Sequence, residues 1–493
     1  MRRLVVALIV GIIVVALVVG LFFMMPSGKK DITIVSINDL HGAALPEVRS
    51  WSKGEAVGGL AYMAGYVDEL EKEKPVLLID AGDAFQGRPV SNLFDGKSVV
   101  DCYNAMGVDA LVIGNHEFDW GKETLEGLMD EADFPFLSAN VLYEGEEFFE
   151  PCTIKEIGGR TIQIIGVTTE LTPEITDKTK LEGFEFMNAT EAVKKYYNSS
   201  CDMVVVAGHM GVEDENSEGF FVFQNSDVPI DVFIGGHTHD KADWSYDNCI
   251  FVEAYSYGSA IGIVNITEEG NSVEVVDAMP EYKDEKIDGI VTNYYGKVKD
   301  EMQRTIASCP SDLTRNSDGE SALGNWMCDV MRDTFDADVA LTNSGGIRAD
   351  LEKGNVTVED IYSVMPFDNT VTLVELTGAQ LKEALEVGVA TDENGKLLHG
   401  IIQVSGLNFT YDPKAPNGQK VKSLYVDGKP VKADEKYLVA TNSFMAGGGD
   451  GYSVFGKGSS LTETGALIRD LLLQSAESSK KIDAKVEGRI KAV

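Results

Sequence analysis

The sequence lacks several patterns that define common protein classes. Its six cysteines are widely spaced and include no C-x-x-C pair, so neither a thiolate zinc site nor a thioredoxin-like redox motif is predicted. Disulfides and buried free thiols both stay open. Basic residues are few, with 42 Lys and Arg against 79 Asp and Glu, for a formal net charge of −37. Nucleic-acid polymers and anionic membrane surfaces are bound through basic patches, so this balance argues against both as partners.

One long apolar run is present at the N-terminus. Residues 4–25 contain no charge and follow Arg2 and Arg3. At about 1.5 Å per residue, this run spans a hydrocarbon core of about 30 Å. It is longer than the core of a usual signal peptide and no A-x-A site follows, so residues 1–30 are predicted to be an uncleaved signal anchor, with a cleaved signal as the alternative. The positive-inside rule then predicts a single-pass membrane protein with the remaining chain outside the cytoplasm, or a secreted one if the segment is cleaved.

The chain is long enough for at least two domains, because single cores stop growing near about 250 to 300 residues. Across residues 31–285, strand-length apolar runs alternate with amphipathic stretches, as in the helix face Leu60, Met63, Val67 and Leu70. This alternation predicts a largely parallel sheet covered on both sides. A helical linker is predicted over residues 286–307, followed by a second, smaller α/β domain over residues 308–493.

Polar groups stand just past the C-terminal ends of five predicted strands of the first domain. Open α/β sheets bind ligands at that edge, so these groups are expected to converge. Five of the six histidines belong to this set, and His399 alone lies elsewhere. The candidates are Asp39, His41, Asp83, Asn115, His116, His209, His237 and His239.

The chemistry of these groups predicts a metal site. Imidazole, carboxylate and amide ligands suit borderline divalent ions such as Zn²⁺, Mn²⁺, Co²⁺ or Fe²⁺. Asp-x-His and His-x-His on extended backbone direct both side chains to one face. Seven ligand candidates are too many for one tetrahedral ion, so two ions bridged by one carboxylate are predicted.

Ordered motifs carry a family resemblance. "NDLHG", "DAGDAFQG", "GNHEFD", "GHMG" and "GGHTH" resemble the signature blocks of the calcineurin-like metallophosphoesterases. "ESALGN", "TNSGGIRAD", "MPFDNTV" and "FMAGGGDGY" resemble the partner domain of the 5′-nucleotidase and UDP-sugar hydrolase family. The resemblance covers about residues 31 to 475 and implies a four-layer α/β/β/α sandwich followed by a smaller α/β substrate-recognition domain.

The resemblance also implies residue roles in the first domain. One metal is expected on Asp39, His41, Asp83 and His239. The other is expected on Asp83, Asn115, His209 and His237, with Asp83 as the bridge. His116 is expected to pair with Asp119 and to stabilise the transition state or protonate the leaving alkoxide. Glu117 receives no catalytic role and is predicted to be solvated or to support the ligands.

In the second domain, the resemblance places a base or other flat ring between Phe367 and Phe444. Asn343, Arg348 and Asp450 are expected to contact ribose, phosphate or carboxylate groups. The implied activity is release of phosphate from nucleoside 5′-monophosphates by a metal-bridged hydroxide. UDP-sugar hydrolysis and 2′,3′-cyclic-nucleotide hydrolysis are alternatives that the first-domain motifs do not separate. A non-catalytic surface nucleotide-binding protein is the alternative from a different class.

Overall fold

The computed structural model describes residues 29–48, 56–277 and 280–493. The apolar run at residues 4–25, predicted to be a transmembrane segment, lies outside these ranges. Among the residues inside them, no helix has the length and apolar character needed to cross a bilayer. All six cysteines are free thiols, which decides between the two states that the sequence left open.

The first sheet has six strands and is parallel in its interior. The strand order is Ser272–Asp277, Ala260–Ile266, Ile32–Ile37, Val76–Asp80, Ala110–Val112 and Phe136–Leu137. The last four strands run parallel to one another, whereas the first two join antiparallel. Ile32–Ile37, Val76–Asp80 and Ala110–Val112 coincide with strand-length apolar runs of the sequence, as predicted.

A second six-stranded sheet faces the first. Its strand order is Lys241–Tyr246, Cys249–Ala254, Val232–Ile234, Met203–His209, Arg160–Thr168 and Cys152–Ile157. The four central strands are parallel and both edge strands are antiparallel. The alternation of strands and helices predicted one sheet, and this prediction is wrong because the first domain contains two large sheets. Two sheets form because each buries one apolar face against the other.

The order of the layers is shown by the cores in which the side chains of each sheet pack. Ile34 and Val112 of the first sheet pack with Val205 of the second in one fully buried core. Neighbouring residues on the same strands, such as Val35, point the opposite way and pack against helices. The helices on the outer face of the first sheet are Leu60–Glu71, Lys97–Met106, Lys122–Glu131 and Glu285–Met302. Ala189–Tyr196 and Glu218–Asn225 cover the second sheet. This is the expected α/β/β/α order.

Several short strands, helices and turns complete the first domain. The remaining strands are Glu47–Val48 with Ala56–Val57, and Phe184–Phe186, Val141–Tyr143 and Glu146–Glu147. Short helices span Pro89–Asn92 and Thr172–Ile175. Single 3₁₀ turns span His116–Phe118, Lys178–Lys180 and Pro280–Tyr282.

The helix between the two domains does not extend through the whole segment that was predicted to be helical, residues 286–307. The helix ends at Met302, and Thr305–Cys309 is a strand paired with Gly354–Thr357. Ile306 of this strand is buried in the core of the second domain. Because buried backbone N–H and C=O groups must be hydrogen-bonded, this segment forms a strand that pairs with its neighbour. The domain boundaries themselves stay predictions.

The second domain is built on a mixed five-stranded sheet. Its order is Gln403–Ser405, Val339–Thr342, Lys436–Asn442, Thr370–Thr377 and Ser459–Leu467. One face packs on helices Ala322–Thr334, Val358–Val364 and Ile468–Ser479, and the other on Gly378–Val387. A four-stranded sheet adjoins it, with Lys429–Pro430, Val421–Val426, Leu407–Tyr411 and Ile490–Ala492. Short turns complete it at Ser344–Gly346, Ser443–Ala446, Gly449–Gly451 and Phe455–Lys457.

Candidate metal and substrate site

The predicted metal ligands meet at one edge of the two facing sheets. Each lies at, or within a few residues after, the carboxyl end of a parallel strand, and parallel strands end at the same edge. The strands that deliver them are Ile32–Ile37, Val76–Asp80, Ala110–Val112, Met203–His209 and Val232–Ile234.

The ligands form two adjacent clusters. One contains Asp39, His41 and His239 and the other Asp83, His209 and His237, with the ligand atoms of each cluster within 4.8 Å of one another. His41 Nε2 lies 3.0 Å from His239 Nε2. Asp83 Oδ2 lies 3.1 Å from His209 Nε2 and 3.8 Å from His41 Nε2. Asp83 therefore stands between the clusters, where a bridging carboxylate is expected.

Hydrogen bonds to backbone carbonyls orient two of the imidazoles. His41 Nδ1 lies 3.0 Å from the Gln86 carbonyl oxygen, and His209 Nδ1 lies 2.9 Å from that of Ala81. A carbonyl oxygen only accepts, so Nδ1–H donates and the Nε2 lone pair faces the cluster. Burial lowers the pKa of His41 well below its usual value, which also favours the neutral, ligating form.

The donor atoms of this site fit divalent metal ions. Asp39 Oδ1, Asn115 Oδ1 and His209 Nε2 are buried atoms without a hydrogen-bond partner among the described residues. Leaving such an atom unsatisfied costs about 1 to 3 kcal/mol. Coordination to a cation satisfies all three, and nitrogen, carboxylate and amide donors suit Zn²⁺, Mn²⁺, Co²⁺ or Fe²⁺.

Backbone strain is concentrated at the same residues. Five of the ligands adopt a left-handed backbone that costs a non-glycine residue about 1 to 2 kcal/mol. These are Asp39, His41, Asp83, His237 and His239, with φ between 48° and 78°. The extended backbone predicted for Asp-x-His and His-x-His is therefore wrong, because these residues lie in tight turns after the strands. The turns, rather than an extended segment, bring their side chains together.

Glu117 braces the turns that carry the ligands. Its carboxylate accepts hydrogen bonds from the backbone N–H groups of Asp83, Ala84 and Gly114 at 2.9, 2.8 and 2.7 Å. The side chain is buried, so the supporting role predicted for it is confirmed and the solvated one is wrong. One carboxylate thus joins the turn that carries Asp83 to the turn that carries Asn115.

His116 belongs to neither cluster and is paired with Asp119. His116 Nδ1 lies 2.7 Å from Asp119 Oδ2, and its backbone N–H donates to Asp83 Oδ1 at 2.8 Å. Burial opposes protonation of His116, but the carboxylates of Asp119 and Asp83 outweigh it and raise the pKa to about 9. These contacts place the His116 imidazole beside the metal ligands and favour its protonated form, and its catalytic role remains a prediction.

A cleft of about 480 Å³ runs between the two domains beside His116. All five second-domain residues predicted to bind substrate line it, namely Asn343, Arg348, Phe367, Phe444 and Asp450. They converge because Val339–Thr342 and Lys436–Asn442 are parallel and end at one edge, where the antiparallel strand Thr370–Thr377 begins.

Arg348 and Phe367 connect this cleft to the metal ligands. Arg348 Nη2 lies 3.5 Å from His41 Nε2, and the Phe367 ring stacks on His116 with centroids 5.4 Å apart. Buried Arg469 holds the Phe367 segment by donating to the carbonyl oxygens of Pro366 and Phe367 at 3.0 and 3.3 Å. Phe444 packs so closely on Gly449 that a Cβ there would lie 2.3 Å from the ring.

Sequence reasoning missed several residues that line the cleft or contact the metal ligands. His399 lies with its Nδ1 3.6 Å from Asp450 Oδ1, although it follows no strand. The Tyr257 ring lies 5.4 Å from that of His41 and 5.5 Å from that of His239. Trp120 and Lys180 line the cleft from the first domain. His399 was detectable as a residue just before an apolar strand, whereas the other three carry no pattern in the sequence.

The fold and the paired clusters define a calcineurin-like phosphoesterase, and the model of that family matches residues 32–241. The 5′-nucleotidase C-terminal domain model matches residues 296–457. The chain therefore belongs to the 5′-nucleotidase family of metallophosphoesterases and is a hydrolase of phosphoric esters.

Individual relatives agree with this assignment. The chain is 28% identical to the snake venom 5′-nucleotidase of Gloydius brevicauda, over 94% of this chain and 89% of that protein. It is 27% identical to the 5′-nucleotidase of Homo sapiens, over 94% and 91%. The crystal structure of a 5′-nucleotidase precursor from Thermus thermophilus superposes with a TM-score of 0.84 at 28% identity, covering 94% of this chain and 99% of that one.

Proposed function

We propose that this protein is a 5′-nucleotidase that releases phosphate from nucleoside 5′-monophosphates outside the cytoplasm. The observation that carries the proposal is the single cleft in which His116 and the metal ligands Asn115 and His237 face Phe367 and Phe444 of the second domain. A phosphoryl group at the ligands would leave a nucleoside within reach of the aromatic rings. The relatives named 5′-nucleotidase support the same substrate class, and the apolar run at residues 4–25 supports the location.

Two divalent ions would be held by the seven ligand residues identified above. Bound ions of this kind polarise phosphoryl oxygens and lower the pKa of a coordinated water. The ligands are Asp39, His41, Asp83, Asn115, His209, His237 and His239. The complete ligand set and the His116–Asp119 pair argue against the alternative of a non-catalytic nucleotide-binding protein.

The protein's own residues supply charge and a proton. Arg348 lies beside His41 and offers a guanidinium to the oxygens of the phosphoryl group. As a water oxygen bonds to phosphorus and the P–O5′ bond breaks, His116 donates its Nε2 proton to the leaving O5′, and the proton lost by the water restores the imidazolium through solvent. Asp119 accepts from Nδ1–H, so it fixes the ring orientation and favours the charged form.

The test is phosphate release by the purified full-length chain loaded with Mn²⁺, Zn²⁺ or Co²⁺. AMP, UDP-glucose, 2′,3′-cyclic AMP and p-nitrophenyl phosphate are compared, and kcat/KM is expected to be highest for AMP. A preference for UDP-glucose or the cyclic nucleotide would overturn the 5′-nucleotidase assignment. Failure to hydrolyse any of the four esters with every metal would overturn the proposed activity altogether.

A further inference from the structure

The sixth histidine of the chain, His399, lies in the part of the cleft that is lined by Phe444 and Asp450. Its Nδ1 is 3.6 Å from Asp450 Oδ1, and the two side chains are 32% and 12% exposed. His399 is far from the metal ligands in sequence and belongs to neither cluster. Its position therefore requires an explanation separate from metal binding.

The backbone around His399 is held rigidly in this position. Gln403 pairs with Thr342 across antiparallel strands, so residues before Gln403 lie beside residues after Thr342. Gly400 has φ of 70°, and a Cβ there would lie 2.3 Å from Ser344 Oγ. Ile401 is fully buried and its N–H donates to the Ser317 carbonyl oxygen at 2.7 Å. The imidazole thus projects from an anchored segment, which suits a residue that selects ligands.

Asp450 offers one carboxylate oxygen to a ligand. Its Oδ2 accepts from Asn343 Nδ2 at 2.8 Å, and Asn343 Oδ1 in turn accepts from Asn442 Nδ2 at 3.0 Å. The other oxygen, Oδ1, is too far from His399 for a hydrogen bond, so a ligand donor can approach it. Asn343 and Asn442 orient the carboxylate without contributing charge.

The electrostatics of Asp450 depend on His399. Burial raises the pKa of Asp450, whereas His399 lowers it. Lys178 also lies close to this loop, with its Nζ 3.3 Å from where a Cβ on Gly448 would lie, but it is exposed and solvent screens its charge. Without His399, the carboxylate would lose the imidazole that favours its charged form, and with it part of its strength as an acceptor.

We propose that His399 is a positioning residue for substrate selection, which keeps Asp450 as an acceptor for a hydrogen-bond donor of the nucleoside, either a ribose hydroxyl or an exocyclic amine. This inference rests on the proposed function and deepens it. It means that discrimination between nucleotides and simple phosphate esters depends on the His399–Asp450 pair of the second domain, remote from the reacting phosphorus.

The test compares His399→Ala, His399→Gln and His399→Arg with the parent enzyme. His399→Ala and His399→Gln are expected to raise KM for AMP about tenfold, the effect of losing one charge-assisted hydrogen bond, with kcat changed less than about twofold. KM for p-nitrophenyl phosphate should not change, because this ester has no nucleoside. His399→Arg places a permanent cation beside Asp450, so KM for AMP should stay within about threefold of the parent value.

Two analogues distinguish the donors. If a ribose hydroxyl is the donor, the effect of His399→Ala disappears with 2′,3′-dideoxy-AMP and persists with IMP. If the exocyclic amine is the donor, the effect persists with the dideoxy analogue and disappears with IMP. Lys396→Ala is the matched control, because Lys396 is an exposed cation in the same segment that does not line the cleft.

Adenosine binding, measured by calorimetry, separates this inference from the proposed function. His399→Ala should weaken adenosine binding about tenfold even if the enzyme prefers another phosphate ester. Unchanged KM for AMP together with unchanged adenosine affinity would overturn the inference. An equal rise in KM for AMP and p-nitrophenyl phosphate would also overturn it, because it would show a general structural defect.

Discussion

At the residue scale, Asn115 and His116 are adjacent in sequence, but their side chains make different contacts. Asn115 presents a buried Oδ1 that needs a cation, whereas His116 turns to Asp119 and stacks on Phe367. The 3₁₀ turn His116–Phe118 produces this divergence, because it rotates successive side chains by about 120°. One short motif therefore presents two polar side chains to different partners.

His116→Ala is expected to lower kcat for AMP by about 10² to 10⁴, the usual contribution of a general acid. The loss should be much smaller for p-nitrophenyl phosphate, because its leaving group departs without a proton. Metal content, measured by elemental analysis, should remain near that of the parent. Loss of metal would instead make His116 a ligand, and equal losses for both esters would rule out proton donation.

At the element scale, the turns that follow the strands pack tightly against one another. Gly82, between Asp80 and Asp83, has φ of 100°, and a Cβ there would lie 2.7 Å from the Gly114 nitrogen and 2.8 Å from His209 Nδ1. Its N–H donates to Asp80 Oδ1 at 2.8 Å. Two ligand turns can approach each other only because this position has no side chain.

Gly82→Ala is expected to lower the free energy of unfolding by about 2 to 4 kcal/mol, from overpacking added to backbone strain, and to weaken metal binding. Gly107→Ala is the matched control, because Gly107 also has positive φ, 73°, but has no atom within 4 Å of its Cβ position. The control should lose only about 1 kcal/mol. Thermal unfolding and metal titration check both, and similar losses for the two variants would refute the role of close approach.

At the scale of the whole molecule, the candidate metal site joins the two large sheets, so metal binding is expected to be coupled to folding. The ligands come from strands of both six-stranded sheets, and several carry strained backbone or unsatisfied buried atoms. A cation that binds only the folded state therefore stabilises the sandwich as a unit. Charge adds to this effect, because Asp39 and Asp83 are buried close together and bound cations relieve their repulsion.

Removing metal with a chelator is expected to lower the unfolding temperature, and restoring Mn²⁺, Co²⁺ or Zn²⁺ to recover it. At a free-ion concentration about 100 times the Kd, the stabilisation is about 2.7 kcal/mol. A His209→Ala variant, which lacks a ligand, should respond less to the same treatment in a calorimetric scan. An unfolding temperature that does not change with chelation would contradict the metal assignment.

Local patterns in the sequence account for the elements and for most of the site. Strand-length apolar runs are local signals, and so is the polar group that follows each one, because strand ends define the binding edge of an α/β sheet. Asp39, His41, Asp83, His209, His237 and His239 could therefore be predicted together from their positions after strands. Their ordered motifs also identified the family, which the comparisons confirm.

How distant segments meet depends on tertiary packing, which no local pattern encodes. Packing divided the strands between two sheets, because sheet membership depends on pairing across long sequence separations that leave no local period. It turned the carboxylate of Glu117 toward three backbone N–H groups rather than solvent. It also brought His399 to Asp450, because an antiparallel neighbour delivers the residue before a strand to the edge where parallel strands end. Sequence patterns identify the residues that follow strands, whereas strand direction and pairing determine which other residues join them.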